Sequence, residues 1–161
     1  MTVSIYGVSD RSRKIGPLLN AAEFFVTQLL GKRMADGVSI DIEVRKTFDA
    51  AGECVNEDGT TRSRWFTIIL KEQKLDAMLL TLAHEMVHVK QHVRNEISYK
   101  RATRGKTNQM TSEVHLWKGK EWTPGKNEDE YFDAPWEVEA YGREGGLVYR
   151  FIEKSQAGPA K

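Results

Sequence analysis

LDAMLLTLAHEMVHVKQHV, residues 75–93, decides how this 161-residue chain is read. Leu79, Leu80, Leu82, Ala83, Met86, Val87 and Val89 recur at helical spacing, which predicts a helix with a broad apolar face. Inside it stands His84-Glu85-Met86-Val87-His88, the pattern HExxH. Residues four apart share one face of a helix, so His84 and His88 can offer two imidazoles to one metal ion. Glu85, one residue on, is placed to act as a general base beside it. Two histidines one turn apart in a buried helix need partners for their ring nitrogens, and a metal ion supplies one. The plainer alternative is a pair of hydrogen-bonded core histidines.

Ahead of this helix, Arg64 to Leu70 (RWFTIIL) reads as a strand rich in aromatic and β-branched residues. Val38 to Phe48 alternates apolar and polar residues and predicts a half-buried strand. Residues 49–61 hold Gly52, Asn56, Asp58 and Gly59 and read as a loop or hairpin. Leu18 to Met34 repeats apolar residues at three and four, a helix with Pro17 in its first turn and Asp36-Gly37 at its end. Thr2 to Tyr6 fits a short strand.

Behind the helix, Tyr99 to Lys106 carries Lys100, Arg101, Arg104 and Lys106 without an acid. Such a run can touch phosphate, although a solvated loop is the more ordinary reading. Glu113 to Lys118 alternates like a strand, and Gly119 to Lys126 is rich in turn residues. Pro135 opens a second long helical pattern, with Trp136, Glu137, Val138, Glu139 and Tyr141 in its first turns and Gly142, Gly145 and Gly146 loosening it. From Ser155 the residues are small and polar.

The composition is that of an ordinary globular protein, 40% apolar and 29% charged, with a net charge of +1 that names no partner. One domain over residues 1–154 with a flexible tail at 155–161 is expected. A single cysteine, Cys54, excludes an internal disulfide and lies in a polar stretch away from the main motif. No secretory leader and no membrane-spanning run is legible, and a cytoplasmic location follows as an expectation.

A metal site of this kind takes three protein ligands and leaves a position open. The pattern HExxHxxGxxH fails, because Gln91 and Arg94 stand where glycine and histidine would be needed. His92 continues along the axis of the same helix and reads as a surface residue. His115, on the strand 113–118, stays open as a ligand. So do Glu137 and Glu139, which point about 160° apart on a helix, so that only one can face the metal.

HExxH followed by a glutamate-bearing helix resembles the gluzincin zinc metallopeptidases. The segments TLAHEMVHVKQ (81–91) and APWEVEAYG (134–142) look like the small SprT-like or minigluzincin proteins found in phages and bacteria. The resemblance covers roughly residues 20–152, its first motif being the more specific. It implies an α+β, zincin-like fold: a small mixed sheet, an HExxH helix and a C-terminal glutamate helix. It implies Zn2+ held by His84, His88 and Glu137, with Glu139 as runner-up, and Glu85 as the catalytic base of peptide-bond hydrolysis. In many gluzincins an acid or amide four residues after the ligand glutamate supports a ligand histidine; here that position is Tyr141. The oxyanion donor is open among Tyr131, Tyr141, Tyr149 and His115. The family's strand ahead of the motif helix, here 64–70, would be the sheet edge to which an extended peptide adds. SprT-like proteins associate with DNA, which gives Lys100, Arg101, Arg104 and Lys106 a weak nucleic-acid reading. One cysteine cannot build their usual zinc ribbon. The competing class is a non-proteolytic zincin-like domain that binds DNA or protein.

Overall fold

The structure is a computed structural model that describes residues 1–59, 62–102, 112–122 and 132–157. The fold is α+β, with two small sheets. The first has four strands: β1 (Thr2–Tyr6), β2 (Ser39–Arg45), β3 (Gly52–Asn56) and β4 (Trp65–Lys71). Their spatial order is β1-β2-β4-β3. β1, β2 and β4 run parallel, and β3 pairs antiparallel with β4 at the edge. Register places Ile40, Ile42 and Val44 of β2 opposite Phe66, Ile68 and Leu70 of β4. These residues are all buried and face the helices. Each such side chain contributes about 1.5–3 kcal/mol of hydrophobic stabilisation.

Helix α1 (Ile15–Leu30) packs on that face through Leu18, Ala21, Ala22, Phe25, Val26, Leu29 and Leu30. The sequence predicted one helix as far as Met34. Gly31, at φ +76°, ends α1 earlier, and one further turn, α2 (Lys32–Ala35), follows. Helix α3 (Leu75–Val93) crosses the same face and packs against α1. It stops at Asn95, whose φ of +55° turns the chain while the Glu96 N–H donates to the Gln91 carbonyl at 2.7 Å. Helix α4 (Pro135–Gln156) lies along α3, and Phe151 joins Phe24 and Phe25 of α1. It runs on through Gly142, Gly145 and Gly146, and through Ser155 and Gln156 of the stretch read as tail.

The second sheet is antiparallel: β5 (Ile97–Ala102), β6 (Ser112–Trp117) and β7 (Lys120–Trp122). Lys118 and Gly119, both at positive φ, form the two-residue turn between β6 and β7. Trp136, at the start of α4, packs on Ile97, Trp117 and Trp122 and ties this sheet to the helix. The expected sheet edge is corrected here. Of the loop or hairpin read at 49–61, the hairpin is what forms, with 52–56 its first strand, and β3, not the strand 64–70, is an edge of the first sheet. β4 lies between β2 and β3. The start of the basic run is also strand: Lys100 and Arg101 lie in β5, opposite Val114 and Glu113. Arg104 and Lys106 lie outside the described residues. Among the described residues no helix is long and apolar enough to cross a membrane.

Candidate metal centre

Helix α3 turns His84, Glu85 and His88 away from the α1 contact and toward α4 and β3. Pro135 starts α4 with Glu137 in its first turn, and the α3–α4 packing brings that carboxylate onto the histidine pair. His84 Nε2 lies 3.2 Å from Glu137 Oε2, and His88 Nε2 lies 3.5 Å from Glu137 Oε1. The two Nε2 atoms are 3.3 Å apart. One ligand atom from each of the three residues falls within 4.8 Å of the others, the one such group of three found among the described residues. Glu137 is 3% exposed.

The outer ring nitrogens define what the inner ones can do. His84 Nδ1 faces Glu144 Oε2 at 2.8 Å, and a carboxylate accepts, so Nδ1 carries the proton. His88 Nδ1 faces Gln91 Oε1 at 2.8 Å, again an acceptor. Both Nε2 atoms are then free to present lone pairs to the same point as a carboxylate. Lone pairs at 3.3 Å repel unless a cation sits among them, and two imidazoles and one carboxylate form a donor set that could hold a divalent metal ion. Without a metal, a proton is the available substitute. Burial pushes His84 down, but its hydrogen bonds to Glu137 and Glu144, together with the charges of Glu85 and Glu137, raise its pKa on balance. His88 is pushed down, first by burial.

Glu85 is 6% exposed, and burial, aided by Glu137, raises its carboxyl to about 7 although the proximity of His84 opposes this. The edge strand comes very close to it. A Cβ on Gly52 would stand 2.5 Å from Thr81 Cγ2 and 3.1 Å from Glu85 Oε1, so only glycine allows β3 to lie there. An open cavity of about 360 Å3 adjoins the site, bordered by Gly52, Thr81, Phe132 and Tyr141 besides His84 and Glu85. A second cleft, about 440 Å3, runs over His92 between β3 and β5.

Among the other sequence candidates, Glu139 points away from the triad and pairs with Lys90 at 2.7 Å. His115 stacks on Trp136 at 5.6 Å, and Tyr149 is exposed. Tyr141 packs its ring on His84 at 4.6 Å, and Tyr131 lies outside the described residues. His92 is not a surface residue: it is half-buried, and burial lowers its pKa to about 4. Cys54 is not remote either. It sits on β3, in the small cavity shared with His84, Glu85 and His88.

Glu144 and Gln91 were not singled out from the sequence. Glu144 is seven residues after Glu137 and shares its face of α4, a spacing that signals the role only once Glu137 is fixed. Gln91 stands three residues after His88. No family model matches the chain, and neither a curated protein nor a solved structure was found similar to it.

Proposed function

We propose that this chain is a zinc-dependent metallopeptidase of gluzincin type. The observation that supports it most is the convergence of His84, His88 and Glu137 beside a buried carboxylate, Glu85, at the edge of a sheet. A purely structural metal site does not need Glu85. Burying an acid whose charge costs this much calls for a use, and a raised pKa near neutrality suits a group that both takes and returns a proton.

His84, His88 and Glu137 would hold the ion, which when bound supplies Lewis-acid polarisation of water and of the substrate carbonyl. Glu85 accepts the proton of the attacking water at its carboxylate and passes it to the departing amide nitrogen. Glu144 and Gln91 hold the two imidazoles in the orientation that leaves Nε2 for binding. Tyr141 is the best-placed donor to the developing oxyanion. It borders the cavity, and burial, with Glu137 and Glu144, raises its pKa and keeps its hydroxyl protonated. The substrate would be an extended peptide. Among the described strands β3 and β5 each end their sheet, and both border the cleft beside the triad.

Zinc-loaded protein should cleave an unstructured protein such as casein, and a chelator should stop it. Glu85→Gln should retain zinc and lose turnover by about 10²–10⁴-fold, the usual contribution of a general base. Cleavage by that variant at the wild-type rate would exclude the mechanism.

A further inference from the structure

Two polar residues near the end of α3 are buried against α4: Lys90, 4% exposed, and Gln91, fully buried. A lysine ammonium is retained at such a position only with anionic partners. Lys90 Nζ donates to Glu96 at 2.6 Å and to both oxygens of Glu139 at 2.7 and 2.9 Å. Arg143 Nε donates to the same Glu139 at 3.0 Å. Glu139 is thus a fixed acceptor inside the α3–α4 interface. Gln91 Nε2 donates to it at 3.1 Å and to the Trp136 carbonyl at 3.0 Å.

These two acceptors decide which end of the Gln91 amide is which. An NH2 group can satisfy both a carboxylate and a carbonyl, and an amide oxygen can satisfy neither. Oε1 must therefore face His88, and its 2.8 Å contact with Nδ1 requires the proton on Nδ1. We propose that Gln91 is a positioning residue for His88: its amide, locked by Glu139 and the Trp136 carbonyl, selects the Nδ1–H tautomer and leaves Nε2 as a ligand atom. Lys90 and Arg143 anchor the lock from behind. The idea rests on the metal-centre reading, and it gives the buried Lys90–Glu139 pair a use that packing alone does not.

The test needs the full chain in its metal-free form, at a pH at which His88 is neutral. Long-range proton–nitrogen spectra report which ring nitrogen carries hydrogen. Wild type should show His88 with Nδ1–H alone, and Gln91→Leu should populate Nε2–H. Zinc affinity, read by competition with a chromophoric chelator, should fall about 10–100-fold in Gln91→Leu. Glu139→Gln keeps an acceptor beside the amide and should change affinity only a few-fold. A wild-type His88 protonated on Nε2 overturns the proposal, and this measurement stands even if Gln91→Leu does not fold. A folded Gln91→Leu with unchanged tautomer and unchanged affinity also overturns it. If wild type takes up no zinc, the metal-centre reading falls, while the tautomer still decides the role of Gln91.

Discussion

Glu85 is a buried carboxyl held far from its ordinary titration range. Its carboxyl titrates near 4.5 in an unfolded chain and at about 7 in the metal-free fold. A raised folded value means that the fold favours the protonated form. Glu85 should therefore cost the metal-free protein stability as pH rises from about 4.5 through about 7, and the cost should hold above that range, while buried His92, lowered to about 4, acts in the opposite sense. Glu85→Gln removes the penalty. In urea titrations of metal-free protein, the variant should exceed wild type by up to about 3 kcal/mol at pH 8 and approach it near pH 4.5. A constant difference across that range would show that Glu85 is not held near neutrality. Gly52 is the second residue-scale constraint. Gly52→Ala should push β3 or Thr81 aside, at about 1–3 kcal/mol by thermal unfolding, with the proposed peptidase activity falling alongside. An unchanged variant would mean that the strand does not approach Glu85 this closely.

At the scale of elements, helices α3 and α4 act as one device. α3 carries His84, Glu85 and His88; α4 brings Glu137 onto them and, two turns on, Glu144 behind His84. Glu144→Ala should weaken zinc binding about 10–100-fold without unfolding the protein, measured by chelator competition. Wild-type affinity would remove Glu144 from the site. The elements were unequally legible. α3 follows from its apolar period, and its ends coincide with those expected, because a long periodic pattern is strongly determined. Gly52, Asn56, Asp58 and Gly59 signal turns locally and left 49–61 between a loop and a hairpin, a choice that pairing with β4 makes by turning 52–56 into a strand. Charge hid β5 in the same way: Lys100 and Arg101 read as loop until β6 is seen beside them. Glu137 and Glu139 could not be separated by periodicity alone, because the choice depends on which face of α4 meets α3.

For the whole molecule, the site joins parts distant in sequence: β3, α3 and both ends of the α4 contact. A ligand that binds only the folded state stabilises all of them together. Zinc at about a hundred times its dissociation constant should add about 2.7 kcal/mol, raising Tm by about 5–10 °C, and a chelator should reverse this. A Tm indifferent to zinc would mean that the histidines and Glu137 are satisfied without it. The α+β class was legible from alternating and helical periods, but the assembly of the triad was not, since it depends on the α3–α4 packing that no local pattern encodes.

Elemental analysis of purified wild type, Glu137→Gln and Glu139→Gln side by side tests the metal centre most directly. About one zinc per chain is predicted in wild type and in Glu139→Gln, with most of it lost in Glu137→Gln. Folded wild type without zinc, or zinc lost with Glu139→Gln and kept with Glu137→Gln, would contradict the site described here.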